Sequence, residues 1–335
     1  MIDESTAALR RIRATRHSPP GLAGSDPARR RRYGAALEQF EELLRAAATA
    51  GSAARPLPLF YALAQAGVAI AAAHLTRNGG LLKKSHGLTF TVADGTLASA
   101  RVKPTTAGAF RDVAEASGSP ALASGVSLPS LWASLPESSG DMLPGDSSPA
   151  ALALEPEDQP TASLAVLVMT ANADAAVYGF PESFGTAPNR IEYLREYLQN
   201  FPTAAGWEPT LGSQLASYHD SQFGWVARLR WRLPESSGNS GLRFEYLLTK
   251  IAPRYADHAR GWLRPSVCHD GQVISTLMTW WALLFGLSNL ARYHPESWVE
   301  MLSVDTFAAA TTFEAMLEDG LAAVPRLVLG ALTRP

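Results

Sequence analysis

Apolar residues occupy every side of a helical wheel from Val273 to Ala291. Ile274, Leu277, Trp281, Leu284 and Phe285 lie on one face, and Trp280, Leu283, Leu287 and Leu290 on another. A helix that is apolar all round is a buried one. The pattern therefore predicts a central buried helix over residues 271–292, N-capped by Asp270 and ended at Arg292-Tyr293-His294 by Pro295, which suits the first turn of a following helix. The remaining chain reads as cover for this element. Leu37, Phe40, Leu43 and Leu44 recur at helical steps from Tyr33 to Ala48, and Leu59, Leu63, Ala66 and Ile70 do so after Arg55-Pro56. Small residues between the latter admit a second helix at close range.

Two β-prone runs, Thr89 to Val92 and Thr96 to Val102, flank Asp94-Gly95 and predict a hairpin. Short helices are expected from Gly108, over Leu128 to Leu135, and over Ile191 to Leu198, with a compact strand over Ser163 to Thr170. Phe223 to Leu233 alternates as a strand, with Trp225, Ala227, Leu229 and Trp231 on one face and Arg228, Arg230 and Arg232 on the other. Those arginines either pair with acids on a neighbouring strand or hold an anion. Phe244 to Ile251 reads as the returning strand, and Asp305 to Leu332 as a helical region broken at Gly320 and Pro325. The fold class that follows is α+β, predominantly helical, with a small antiparallel β element.

The expected organisation is a basic mobile arm over residues 1–32, a helical region with the hairpin over 33–135, an acidic Ser/Pro-rich loop over 136–160, and a mixed region over 161–335. The last packs on 33–135 as one globular unit. The arm carries Arg10, Arg11, Arg13, Arg16 and the run Arg29 to Arg32 against Asp3, Glu4 and Asp26. It reads either as an arm or helix lead-in whose charges are solvated, or as a phosphate-contacting tail. A hydrophobic content of 47% with 18% charged residues fits a folded soluble protein, and a net charge of -2 gives no global field toward a polyanion.

The single cysteine, Cys268, excludes an internal disulfide and suits a reducing compartment. No leader-like apolar run opens the chain, so the cytoplasm is the expected location. The apolar run from Leu57 to Leu75 holds Gln65 and ends near His74, which makes it a buried core helix rather than a membrane span.

Several stretches recur in the same order in one bacterial group. They are Arg55-Pro-Leu-Pro-Leu-Phe-Tyr61, Ser85-His-Gly-Leu88, Gly108-Ala-Phe110, Leu131-Trp-Ala-Ser-Leu-Pro136, Leu287-Ser288, and Ala291-Arg-Tyr-His-Pro-Glu-Ser-Trp298. In these the chain resembles the YaaC-like proteins from about residue 35 onward. The resemblance implies a mostly helical fold with a small β element and no assigned activity.

The sequence holds no P-loop, no G-x-G-x-x-G after a strand, no H-E-x-x-H and no G-x-S-x-G elbow. No two histidines fall four apart on one helix, so neither a metal centre nor a cofactor is expected. Arg264 and His269 have the Arg-x4-His spacing of the HEPN ribonucleases, which they resemble in that respect alone. That resemblance implies a histidine activating a ribose 2′-hydroxyl and an arginine stabilising the phosphate, without metal. The alternative places Arg264 in a loop and His269 beside a helix start. A homodimer is the assembly that would complete such a cleft.

A second cluster, Arg292, Tyr293, His294 and Trp298, would form one anion pocket with His86, Lys83 and Lys84 if the two stretches meet. Otherwise Arg292 caps helix carbonyls while Tyr293 and Trp298 fill a helix corner. His17, His219 and His258 show no partners in the sequence, and His74 reads as a satisfied core histidine. The expected function is a non-catalytic intracellular helical module that binds a protein partner or RNA or a nucleotide, with no membrane. The alternative is a HEPN-like ribonuclease acting in toxicity or defence.

Overall fold

The computed structural model describes residues 4–93, 96–139, 142–143, 146–157, 172–210, 215–233, 240–254, 260–268 and 271–334. The helices, in chain order, are α1 Glu4–Thr15, α2 Leu22–Ser25, α3 Pro27–Thr49, α4 Pro56–His74, α5 Ala109–Ser117, α6 Leu128–Ala133, α7 Glu182–Gly185, α8 Arg190–Tyr197, α9 Ser240–Tyr246, α10 Thr276–Tyr293, α11 Pro295–Met301 and α12 Ala310–Leu332. The strands are β1 Leu88–Thr91, β2 Arg101–Pro104, β3 Val126–Ser127, β4 Leu152–Glu157, β5 Asn172–Phe180, β6 Trp207–Pro209, β7 Ser217–Asp220, β8 Gly224–Arg232 and β9 Gly261–Leu263. The fold is α+β and predominantly helical, with both sheets antiparallel. Where one globular unit was expected, the chain divides into two. The first is Met1–Trp132, Leu143–Asp146 and Val267–Pro335; the second is Ala133–Met142 and Ser147–Ser266.

The first unit is built on α10, as the apolar pattern predicts. Its Trp280 and Trp281 are fully buried, and the helix packs against α4, α5, α12 and the strands β1 and β2. The start differs from the expectation. Asp270 lies outside the described residues, and the N-cap is Ser275, whose Oγ accepts from the amide of Met278 at 3.3 Å. α4 is long and apolar enough to span a membrane, yet 67% of its most apolar window is buried in this unit. Its Leu59, Leu63, Ala66 and Ile70 have no exposed surface.

α12 runs unbroken through both Gly320 and Pro325, against the expected interruptions. Gly320 lets the helix close on Trp280, whose Cζ3 would lie 3.1 Å from a β-carbon there. Pro325 lacks the amide that would bond the carbonyl of Leu321, and Ser5 donates its Oγ–H to that carbonyl at 3.5 Å instead.

That contact belongs to a larger correction: where a mobile arm was expected, residues 4–32 form α1, α2 and the start of α3, joined by short turns, and pack on the first unit. α1 buries Ala8 and Ile12, Arg13 pairs with Glu41, and Arg16 lies 3.0 Å from Glu38. Arg29 is buried and donates to the carbonyls of Ala72 and Leu75 at 3.1 and 2.8 Å. A guanidinium there satisfies the orphan carbonyls and the negative dipole end of α4. Arg32 donates to the carbonyl of Gly79 at 2.9 Å. The basic run is thus largely absorbed by helix ends and by the acids of α3.

His74, in the last turn of α4, bonds through Nε2 to the carbonyl of Leu332 at 2.9 Å, so it is the satisfied histidine expected. Burial lowers its pKa, against the raising effect of that bond, and Arg334 lowers it further. The folded chain holds the imidazole neutral while the unfolded chain takes up a proton near its ordinary value of about 6.5. The contribution is complete above that pH and is lost as pH falls through the depressed folded value. Thermal melts between pH 7.5 and 5 should therefore show a shallower loss of stability in His74→Gln than in the native chain.

The second unit carries a sheet in the order β6-β8-β5-β4-β9, with β7 also paired to β8. Its inner face, formed by Leu152, Leu154, Ala175, Val177, Ala227, Leu229 and Trp231, packs with Leu194, Phe201, Leu247 and Leu248. β8 is the strand that alternation predicts. Two expectations fail here. Residues 152–157, placed in an acidic loop, form β4 between β5 and β9. Residues 244–251, read as the returning strand, are the end of α9 and one π-turn over Leu247–Ile251, and the neighbours of β8 are β5, β6 and β7. The strand expected over 163–170 and the Asp94-Gly95 turn lie outside the described residues.

Candidate binding site

In the first unit, the segment from Lys83 to Gly87 is held by α5. Asp112, buried in the first turn of α5, accepts from the amide of Lys83 at 2.8 Å and from Arg77 Nη2 at 2.6 Å. Arg77 also reaches Glu115 at 2.9 Å. The amides of Ala109 and Phe110 donate to the carbonyls of Ser85 and His86 at 2.8 and 3.0 Å, and the amide of Thr105 to Gly87 at 3.0 Å. These bonds occupy the N-terminal amides of α5. Gly87 and Gly108 pass each other at backbone contact: a β-carbon on Gly108 would lie 2.2 Å from the Gly87 Cα. The two short stretches Ser85-His-Gly-Leu88 and Gly108-Ala-Phe110 are therefore the two halves of one clasp.

The clasp leaves Lys83, Lys84 and His86 exposed on one loop. Neither lysine has an ion-pair partner among the described residues. The His86 ring lies 5.5 Å from Phe60, 5.9 Å from Phe285 and 6.4 Å from Tyr61, which is itself 38% exposed. Two cations and two flat, partly open rings thus share a stretch of surface whose backbone is fixed.

The other predicted residues are placed differently. His294 meets Phe90 at 6.3 Å, near the far end of α10 from Phe285. Nine residues at the helical rise separate Phe285, the α10 ring that His86 meets, from His294 by about 13 Å along the helix axis. Arg292 lies 4.9 Å over the exposed ring of Tyr293 rather than on helix carbonyls. Trp298 is buried, donates Nε1–H to the carbonyl of Ala53 at 2.9 Å, and packs 5.6 Å from Phe313. It is a corner-filling residue.

In the second unit, Arg230 and Asp174 are direct partners in the β5–β8 register and form a two-armed pair at 2.6 and 2.9 Å. Arg228 reaches Glu157 at 3.1 Å. The pairing alternative thus holds for both, and exposed Arg232 has no ion pair among the described residues. Arg264 donates Nε–H to the carbonyl of Ser134 at 3.1 Å, and His269 lies outside the described residues. His219 does have partners: Glu182 at 3.3 Å and the Trp225 ring at 5.4 Å. His258 also lies outside the described residues.

One cluster escaped the sequence reading. Arg260 pairs with Glu155 and lies 4.3 Å over Phe223 and 5.2 Å over Tyr178, which donates its hydroxyl to Glu155 at 3.0 Å. Burial first, and then the Glu155 bond, pushes the Tyr178 phenol up. The only signal was the pair of acids Glu155 and Glu157 at strand spacing, which Pro156 disguised.

The profile of a family described as YaaC-like protein matches residues 9–332. No curated protein and no solved structure matches the chain.

Proposed function

The chain belongs to the YaaC-like family, and we propose that it is a non-catalytic cytoplasmic module that binds a protein or nucleic-acid partner through the loop from Lys83 to His86. The observation that supports this is the clasp. Two glycines in backbone contact, a buried aspartate and three backbone bonds hold a loop whose side chains point to solvent. Packing alone gives no use for two unpaired lysines there. Between the partner classes, lysines beside open His86 and Tyr61 rings favour a single-stranded nucleic acid, whose phosphates take the charge and whose bases stack.

A labelled single-stranded RNA, titrated at two salt concentrations, tests this. Binding should weaken with salt, and Lys83→Ala/Lys84→Ala should lower affinity about tenfold and reduce the salt slope by roughly 1.4, at about 0.7 per phosphate contact. Unchanged binding in that variant would remove the loop from the interface; loss of binding to an acidic peptide instead would move the partner to the protein class. If the RNA is cut in chelator by the native chain and not by His269→Ala, the ribonuclease reading takes its place.

A further inference from the structure

The chain leaving α8 turns through residues 198–204 before entering β6, and a cavity of about 310 Å³ opens beside this turn. It lies wholly in the second unit, and nothing about it depends on the Lys83–His86 loop. Its floor is apolar: Leu198, Phe201 and Ala204 are buried. Trp207 of β6 and Pro202 form walls, and Arg195 stands at the rim.

Three features keep the cavity open. Trp231 donates Nε1–H to the carbonyl of Ala204 at 3.2 Å and pins the turn from the core side. The amide of Ser266 donates to the carbonyl of Asn200 at 2.8 Å, while Asn200 Nδ2 donates to the carbonyl of Tyr197 at 2.9 Å. Gly206, at φ +81°, makes the sharp entry into β6 that a residue with a side chain would strain. The backbone of the turn is therefore set without a ligand.

The charged residues of the lining are Arg195 and Glu208. Glu208, the acid of β6, is the register partner of Arg230 and adds to the electrostatic raising of that guanidinium's pKa. Arg195 is exposed and has neither a hydrogen bond nor an ion pair among the described residues. A planar guanidinium takes a carboxylate or a phosphate through two parallel bonds, and an aromatic wall accepts a flat ring. The volume sits at the small end of ligand cavities, which run from about 300 Å³ upward.

We propose that this cavity binds a small molecule consisting of one planar ring and one anionic group, the anion on Arg195 and the ring against Trp207. Carboxylate and phosphate share the chemistry that Arg195 recognises, so the test uses both. Calorimetric titration of the full chain with benzoate and with phenyl phosphate should show saturable binding of at least one, and their order identifies the anion. Cyclohexanecarboxylate and inorganic phosphate should each bind at least about fivefold more weakly than the corresponding ring-bearing probe, because each lacks the flat ring.

Arg195→Gln, a change at the exposed rim, should weaken the better probe about tenfold, the order expected for a lost charge-assisted pair. Lys83→Ala/Lys84→Ala should leave it unchanged. The proposal is overturned if neither benzoate nor phenyl phosphate binds at millimolar concentration, if Arg195→Gln leaves the affinity within twofold, or if the probes without a flat ring bind equally well.

Discussion

Trp281→Ala is expected to destabilise the first unit by about 3–5 kcal/mol, the range for emptying a large buried aromatic site. The indole is fully buried on α10 and lies edge-on to Phe60 at 6.3 Å. Its slot exists because residue 67 has no side chain. A β-carbon at Gly67 would stand 2.5 Å from Cη2 and 2.6 Å from Cζ3 of the ring. Its neighbours, Phe60 and Val113, are themselves buried on helices packed against α10, so the site can close only in part when the indole is missing. Trp281→Phe behaves differently. The indole N–H has no hydrogen-bond partner among the described residues, so the smaller ring loses packing but also removes a buried, unpaired donor. Its cost should fall well below that of alanine.

The same geometry couples the two positions. Gly67→Ala alone overpacks the slot and should cost about 1–3 kcal/mol. In the Trp281→Phe background, the ring atoms it strikes are gone, so the double variant should be more stable than the sum of the single changes predicts. Denaturant unfolding of the native chain and the four variants measures all of this. A loss under about 1 kcal/mol for Trp281→Ala, well below that range, would show that α10 is not the element on which the unit is built.

What the sequence disclosed follows from the range of the interactions involved. α10 and α4 were legible because a helix that is apolar on every side can only be interior, whatever its neighbours are. Residues 4–32 were not, because the partners of Arg13 and Arg29 are Glu41 and the carbonyls of Ala72 and Leu75, and a carbonyl leaves no mark in a residue pattern. Pro325 misled for a related reason: the bond that compensates it comes from Ser5, at the other end of the chain. β4 was hidden by Pro156 and two glutamates, whose side chains meet Arg260 and Arg228 across the sheet. Of the candidate site, the two glycine-containing stretches could be seen, and the exposed lysines with them. That the stretches touch each other could not, since each glycine is explained only by the other.

That mutual requirement makes Gly108→Ala the second large expected effect. Gly108 sits at φ +144° and ψ 176°, a region open in practice only to glycine, and its new methyl group would meet the Gly87 Cα at 2.2 Å and N at 2.5 Å. Backbone cannot rotate away as a side chain can, so the clasp must separate. Strain of about 1–3 kcal/mol adds to overpacking of a similar size, for a loss of roughly 3 kcal/mol or more. Gly87→Ala meets the same wall less severely, at 3.0 Å from Gly108, and should cost less. The order is what tests the clasp. If Gly108→Ala melts no lower than Gly87→Ala, the close approach is not what positions the loop. If Gly108→Ala is destabilised as expected yet binds single-stranded RNA with native affinity below its melting point, Lys83, Lys84 and His86 do not act from a fixed backbone, and rigidity is not what the two glycines contribute.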